Sequence, residues 1–333
     1  MILPAGIQAS SPSLLEKAFI QACSLDVTTL KPGNVSEDAP GHRMTAAQFI
    51  ASAGAAAPLL CRAGAPVGQR IFGAVEASLR VAGCNTNLGI VLLCAPIAAA
   101  AQTVAADADL EQWRRRLSEV LRSLTVADAD AAFRAIALAN PAGLGTIEAH
   151  DVQASATIDL RAAMSLAAGR DMIARQYAGD FEDLFEVGMT AWREACNPRQ
   201  AMDGRPASLA MQRVFLEFLA RFPDSHIARK HGTAVAEAVS RQAQSRLLRW
   251  RSDASAVQAD LADWDAQLKS AGVNPGTSAD LAVATAFLAG IVLHRSTMPT
   301  AGRDGVMLNP DGADDHPEQR LSLHCITNVR GAH

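Results

Sequence analysis

The sequence predicts an all-α protein, a single compact domain of roughly twelve helices with little or no β structure. Hydrophobic residues make up 49% of the 333 residues and charged residues only 19%, so the chain can bury a sizeable core. Alanine is abundant, and small side chains let helices approach closely. Apolar residues recur at helical spacing through most of the chain, whereas short alternating β-branched runs with hairpin turns are absent.

Start signals support several of the predicted helices. Ser11-Pro12 puts a proline at a first helical position, and Thr277 or Ser278 can cap the last helix. The helical domain is expected over residues 1–296, followed by a Gly-, Pro- and Asp-rich tail over residues 297–333, which we expect to be a mobile loop. The predicted helices span residues 12–27, 45–62, 66–83, 88–105, 109–123, 128–138, 158–177, 179–196, 205–221, 232–250, 254–271 and 278–295.

Composition and charge narrow the class of partner. The net charge of −4 offers no polyanion-binding surface, so no nucleic-acid partner is expected. The six cysteines lack paired metal-ligand spacing and mostly sit in apolar runs, which favours a reducing cytoplasm. The N-terminus lacks the pattern of a signal peptide, and the uncharged run Leu88–Ala106 is interrupted by Pro96, so we expect a buried helix, a soluble protein and no membrane partner. The sequence leaves the oligomeric state open, a homo-oligomer included.

The turn after the first helix carries more chemistry than a turn requires. The stretch "TTLKPGNVSE" contains Lys31, Pro32, Gly33 and Asn34. Proline and glycine alone would end the helix. The added cation and amide therefore make this turn a candidate ligand-binding element.

A second candidate lies at the start of the most hydrophobic helix, in "GCNTNLGIVLL". Asn85, Thr86 or Asn87 could simply cap that helix. The free N–H groups of a helix start, flanked by polar side chains, also form an anion site. Glu76, two to three helical turns earlier, could face this helix start and hold a cation.

Two aspartates lie in otherwise apolar helical surroundings. Asp171 falls on the apolar stripe of the predicted helix 158–177, where it could pair with Arg175 or belong to a site, because a buried carboxylate needs a partner. Asp280 lies in the first turn of helix 278–295, where it could interact with the helix dipole or again belong to a site.

A charged cluster surrounds a helix break in "RFPDSHIARKHG". Such clusters are usually solvated surface. The proline, Asp224 and the basic residues that follow it, Lys230 among them, also suit phosphate or metal–phosphate binding. The residues alone thus indicate a helical protein that binds a phosphorylated ligand through Mg²⁺.

The order of these stretches resembles the triphosphoribosyl-dephospho-CoA synthase family. "KPGNVS", "GQRIFGAVEASLRVAGCNTNLGIVLL", "DSHIARKHG" and "NPGTSADLAVATAFLAG" follow one another as that family's motifs do, over roughly residues 12–295. "NTNLGIVLL", "RDMIARQY" and "NPGTSADL" are more similar to a branch found in archaea and methylotrophs, often beside tetrahydromethanopterin-pathway genes.

The resemblance implies an enzyme that moves the 5-triphosphoribosyl group of ATP to the 2′-hydroxyl of 3′-dephospho-CoA with release of adenine. Such a transfer passes through an oxocarbenium-like state, which needs a nearby carboxylate, a base for the hydroxyl and a proton donor for adenine. It also implies Mg²⁺ on the triphosphate of the substrate ATP.

The resemblance also assigns roles to the residues. Asp280 or Asp171 would be the base or the sugar-stabilising carboxylate, and Lys31 would reach the triphosphate. Replacing Lys31 with Met should then abolish activity without unfolding the protein. The residues expected to bind phosphate or sugar are Lys31, Gly33, Asn34, Asn85, Thr86, Asn87, Lys230 and Asn274, and the expected Mg²⁺ ligands are Glu76 and Asp224.

Two departures from the family pattern leave the acceptor open. The usual form continues the first turn towards an Asp, where this chain has Asn34-Val35-Ser36, and it has His-Lys after Asn-Thr, where this chain has Asn87-Leu88. One alternative is therefore a related ribosyl-phosphate transferase with another acceptor in tetrahydromethanopterin or one-carbon cofactor biosynthesis. Another is a non-catalytic helical protein that binds a nucleotide.

Overall fold

The computed structural model describes residues 12–35, 46–139, 156–196 and 206–296. Within these ranges it contains fourteen α-helices, one π-helical segment and no strand, which confirms the predicted all-α fold. The π-helical segment, Leu184–Met189, runs directly into α9. The α-helices are α1 (Leu14–Thr28), α2 (Ala46–Leu60), α3 (Val67–Ala82), α4 (Leu88–Ala101), α5 (Leu110–Arg122), α6 (Val126–Ala139), α7 (Leu160–Ala167), α8 (Met172–Ala178), α9 (Thr190–Ala195), α10 (Pro206–Arg221), α11 (Ser225–His231), α12 (Thr233–Ser252), α13 (Gln258–Ser270) and α14 (Gly276–Ser296).

Helix α4 forms the centre of the core. Nearly all of its residues are buried, since the helix carries no charge and is surrounded by α2, α3, α5, α6, α8 and α14. Helix α14 packs against α4 from one side and against α1 and α10 from the others. The two helices bring their N-terminal parts close to each other, because the side chain of Asp280, the fifth residue of α14, touches the first turn of α4.

Three predicted elements were wrong in detail. The predicted helix 158–177 is interrupted between α7 and α8, so Asp171 precedes α8 and does not lie within a continuous apolar stripe. The charged cluster after Pro223 contains a helix, α11, where the sequence suggested a helix break. The predicted helix 179–196 begins with Asp180 and Phe181 at positive φ and continues as the π-helical segment.

Two further predictions concern a membrane-spanning helix and the C-terminal tail. In the described ranges, the helices include none that is long and apolar enough to cross a membrane. The tail expected over residues 297–333 and the departure at Ser36 lie outside the described residues.

Candidate functional site

The Lys31–Asn34 turn is clamped between α13 and the segment that leads into α14. Gly33 has φ +81°, and a Cβ atom there would lie 2.8 Å from both Pro275 Cδ and Val273 O. Only glycine fits this position without strain. The Asn34 side chain donates a hydrogen bond to Asn274 Oδ1 over 3.0 Å. Two of the predicted binding residues, one in the turn and one in the segment before α14, are therefore in contact.

Lys31 is fully buried and forms an ion pair with Asp26. Its Nζ lies 3.1 Å from Asp26 Oδ1 and also donates to the Asp26 carbonyl oxygen. Burial raises the pKa of the Asp26 carboxyl, and the Lys31 charge opposes that rise. The ammonium therefore stabilises a buried carboxylate at the end of α1. A contact between Lys31 and a triphosphate stays a prediction.

The start of α4 is organised by its asparagines. Asn85 Oδ1 accepts from the Leu88 N–H over 3.1 Å, as a capping residue does. Asn87 is buried and donates to Ser78 Oγ over 2.9 Å. Thr86 is also buried, and its hydroxyl oxygen has no hydrogen-bond partner among the described residues. The capping interpretation thus holds for Asn85, and Thr86 keeps an unused hydroxyl beside the helix start.

Asp280 lies against this helix start. A Cβ atom at Gly89, in the first turn of α4, would stand 2.0 Å from Asp280 Oδ2. The carboxylate makes no hydrogen bond within the described part of the chain. Part of the residue's surface is exposed to solvent, whereas its carboxyl group is closely surrounded by protein atoms. Asp280 is therefore a carboxylate near the start of α4 whose oxygens are not used to hold the fold together.

Neighbouring charges shape the chemistry of Asp280. Burial raises the pKa of its carboxyl well above the ordinary value, and the carboxylates of Asp26, Asp224 and Asp171 raise it further, whereas Arg229 lowers it. We call Asp26, Asp171, Asp224 and Asp280 the aspartate cluster. A carboxyl group in this environment is a stronger base than an ordinary aspartate, as acid–base catalysis requires.

Asp224 joins the starts of α11 and α14. Its Oδ1 accepts from the His226 and Ile227 N–H groups at 2.9 and 3.1 Å, and its Oδ2 accepts from the Ser278 N–H and hydroxyl at 2.8 Å each. The residue is only 1% exposed, and burial raises its pKa despite these bonds. The carboxylate is thus fully occupied as a double helix cap.

Asp171 ties α8 to α11. Its Oδ1 caps α8 by accepting from the Ile173 and Ala174 N–H groups, and its Oδ2 lies 2.7 Å from Arg229 Nη1. The partner is therefore Arg229, not Arg175 as considered from the sequence, since Arg175 pairs with Asp183.

The N-terminal ends of α4, α8, α11 and α14 consequently meet in one place. Besides the Asp280–Gly89 approach, the Met172 N–H at the start of α8 donates to Ser225 Oγ at the start of α11 over 2.8 Å. Helix N-termini carry partial positive charge and favour anions. Asp171 and Asp224 already accept from N–H groups at the starts of α8, α11 and α14, so the start of α4 is the part of this place that suits a phosphate group of a ligand.

Two predicted residues lie apart from this arrangement. Glu76 is exposed and pairs with Arg80 at 3.2 Å, and Lys230 is exposed at the end of α11. Among the described residues, no group of three or more His, Cys, Asp or Glu side chains could hold a metal ion. Glu76 and the fully bonded Asp224 thus do not fit a resident Mg²⁺ site.

Sequence reasoning missed three residues around the site. Asp26 continues the apolar stripe of α1, four residues after Ala22, and a lone acid in that position was the available signal. Arg229 belonged to the charged cluster but could be paired with Asp171 only in three dimensions. Asp265 of α13 accepts from the Gly33 N–H over 2.8 Å, and no motif pointed to it.

Two surface grooves lie away from the cluster. One, of about 390 Å³, is lined by residues of α10 and α12, and another, of about 360 Å³, by residues near the start of α3 and the start of α6. Neither is lined by any predicted site residue. The aspartate cluster, and not a groove, is the candidate site.

The fold and the site together define an all-helical protein with acid–base groups placed where several helix starts favour an anion. Comparisons with known proteins identify a family within this class. The family model for ATP:dephospho-CoA triphosphoribosyl transferase matches residues 12–297, most of the chain. The chain belongs to this family and is a transferase of the triphosphoribosyl-dephospho-CoA synthase kind, whose substrates are ATP and dephospho-CoA.

A solved structure supports the fold. The chain is similar to the crystal structure of an Archaeoglobus fulgidus protein described as a triphosphoribosyl-dephospho-CoA synthase, with a TM-score of 0.54 and 22% sequence identity. The similarity covers 72% of this chain and 97% of that one. No curated protein matches the chain.

Proposed function

We propose that this chain transfers the 5-triphosphoribosyl group of ATP to the 2′-hydroxyl of 3′-dephospho-CoA and releases adenine. The observation that carries the proposal is the position of Asp280. Its carboxylate lies at the start of α4, has no hydrogen-bond partner among the described residues, and is surrounded by other carboxylates that raise its pKa.

In the proposed reaction the bond between ribose C1′ and adenine breaks, and a bond forms between C1′ and the acceptor oxygen. Asp280 takes the proton of the acceptor hydroxyl, and the departing adenine takes up one proton. The reaction as a whole therefore neither takes up nor releases a proton. The cluster carboxylates also stabilise the positive charge that develops on the ribose.

The structure favours Asp280 over Asp171 as the base. Both oxygens of Asp171 already accept hydrogen bonds, from the start of α8 and from Arg229. A base needs a free lone pair directed at the proton that it removes. Asp171 then acts as a fixed charge that holds α8 and α11 together beside the sugar.

The phosphate groups fit the other half of the site. The start of α4, the unused Thr86 hydroxyl and the paired amides of Asn34 and Asn274 supply donors for a polyanion. Mg²⁺ would arrive with the triphosphate of ATP, as part of the substrate, because the two expected protein ligands do not fit a metal site. The free cysteines of the described residues favour a cytoplasmic setting.

A second candidate function keeps the transfer and changes the acceptor. Where the family pattern has His-Lys, this chain has Asn87 and Leu88, and both are buried. The departure from the family pattern at these two positions favours keeping another acceptor, one in tetrahydromethanopterin or one-carbon cofactor biosynthesis, as the second candidate.

Chromatographic detection of adenine tests the proposal, with purified protein, ATP and Mg²⁺, with and without 3′-dephospho-CoA. Release that depends on dephospho-CoA is the expected result. Slow release in both tubes would move the proposal to the second candidate and to a screen of hydroxyl-bearing cofactors. ATP binding without any adenine release would overturn both candidates and favour a nucleotide-binding protein without catalytic activity.

A further inference from the structure

Asp265 connects α13 to the Lys31–Asn34 turn. This residue lies outside every stretch that carries the family resemblance, and it is only 5% exposed. Its Oδ1 accepts from the Gly33 N–H over 2.8 Å, and its Oδ2 lies 2.8 Å from Lys269 Nζ one helical turn later. One buried carboxylate thus links two segments that are 232 residues apart in the chain.

The local chemistry explains why an aspartate can be buried there. The Lys269 ammonium neutralises the carboxylate, so Asp265 avoids the cost of an unpaired buried charge. A charged acceptor also forms a stronger hydrogen bond to a backbone N–H than a neutral one. The Gly33 backbone is therefore held more firmly than by turn geometry alone.

Gly33 is also pressed against α13 and against the segment that leads into α14. A Cβ atom at Gly33 would lie 3.0 Å from Leu268 Cβ, which belongs to α13, and 2.8 Å from Pro275 Cδ. Asn34 in turn bonds to Asn274. A shift of the turn away from α13 would move Asn34 and Asn274 together.

We propose that Asp265 is a positioning residue for the ATP-binding half of the site. It acts through Gly33, by holding the turn so that the Asn34–Asn274 pair faces the ligand. This inference rests on the proposed function, since it assumes that the turn contributes to ATP binding.

Three variants test it: Asp265→Ala removes both contacts, Asp265→Asn keeps an acceptor for the Gly33 N–H, and Lys269→Met removes the ion pair but leaves the Gly33 hydrogen bond in place. ATP affinity would be measured by calorimetry, and amide exchange over residues 28–35 by mass spectrometry. In Asp265→Ala we expect about tenfold weaker ATP binding and faster exchange in this segment, since a lost charged hydrogen bond costs roughly that factor. Asp265→Asn and Lys269→Met should both stay within about threefold of the wild type in ATP affinity.

Other outcomes overturn the inference in distinguishable ways. Unchanged exchange over residues 28–35 in Asp265→Ala would show that Asp265 does not hold the turn, whether or not the protein is active. Faster exchange with unchanged ATP affinity would show that the turn is held but is not part of the ATP site. Equal losses in Asp265→Ala and Lys269→Met would assign the effect to the ion pair. A wild type that binds ATP but releases no adenine would contradict the proposed function and leave the affinity test of Asp265 valid.

Discussion

The carboxylate of Asp280 and the backbone of Gly89 are in direct contact, although the two residues lie 191 positions apart in the chain. A methyl group at residue 89 would stand 2.0 Å from Oδ2 and 2.6 Å from Cγ of Asp280. This approach places the carboxylate at the start of α4, and within the described ranges the carboxylate makes no hydrogen bond. The contact therefore links the identity of a helix residue to the geometry of the proposed base.

Gly89→Ala should displace Asp280 and abolish most of the activity. A displacement of about 1 Å in a catalytic group can reduce the rate by about a hundredfold. The stability cost should be smaller, about 1–2 kcal/mol, because overpacking is partly offset by the better helix propensity of alanine. Adenine release and urea unfolding measure the two effects.

Gly73→Ala in α3 is the matched control. A Cβ atom there meets Leu59 Cβ at 3.5 Å, an ordinary contact. This variant should keep full activity and gain about 0.5–1 kcal/mol of stability. Full activity in Gly89→Ala would contradict the role of the Asp280 contact.

Asp280→Asn should be inactive and more stable than the wild type at alkaline pH. The pKa of this carboxyl is raised in the fold, so the folded state binds its proton more tightly than the unfolded state does. The contribution of the group to stability is therefore full below its unfolded pKa of 3.8 and is lost as the pH rises through the raised folded pKa. The neutral amide of the variant does not titrate, so the variant does not lose this stability as the pH rises.

Thermal unfolding at several pH values measures this effect. The melting temperature of Asp280→Asn should exceed that of the wild type by a few degrees at pH 8, which corresponds to about 1 kcal/mol or more, and the gap should close towards pH 4. Wild-type activity should rise with pH as Asp280 loses its proton, with the acid limb above that of an ordinary aspartate. A stable, fully active Asp280→Asn would rule out Asp280 as the base.

Much of the fold could be predicted from the sequence, because helical periodicity reports directly on which faces are buried. The uncharged stretch after Asn87 predicted the central helix α4, and structure and sequence agree on its start. Periodicity could not detect the break before Asp171, since the apolar spacing continues across it, and the short helix α11 is too polar to show a stripe.

The sequence pointed to several residues that lie close together in the structure, but not to the contacts between them. The ordered motifs drew attention to Lys31, Asp224 and Asp280, and the helical periodicity drew attention to Asp171. The structure brings these residues or their partners together. The pairs themselves, such as Asp171 with Arg229, join segments distant in the chain, and a single sequence contains no signal for such pairings. Glu76 shows the opposite error, because helical spacing alone cannot tell which way an exposed side chain faces.

Lys31→Met should destabilise the protein strongly, which changes the result expected from the sequence alone. Removing the ammonium leaves the buried Asp26 carboxylate without its partner, and breaking a buried pair costs about 3–5 kcal/mol. Since Lys31 lowers the pKa of Asp26, its loss raises that pKa further. The destabilisation should therefore be largest at alkaline pH and shrink as Asp26 takes up a proton at lower pH.

The double variant Asp26→Asn/Lys31→Met separates charge from packing. It removes the unpaired charge and should recover about half or more of the lost stability in urea unfolding at pH 8. If both variants were equally unstable at every pH, the loss would come from packing of the Lys31 chain and not from the charge of Asp26.

Asp224→Asn should lose about 2–3 kcal/mol of stability, whether or not Mg²⁺ is present. One carboxylate oxygen becomes an NH₂ group that faces N–H or O–H donors, so two of the four hydrogen bonds joining α11 and α14 are lost in a buried place. Ser278→Ala is the control, since it removes only the hydroxyl donor and should cost about 1 kcal/mol. Urea unfolding with and without Mg²⁺ measures both. A native-like Asp224→Asn that needs more Mg²⁺ for adenine release would instead identify Asp224 as a metal ligand and contradict its role as a double helix cap.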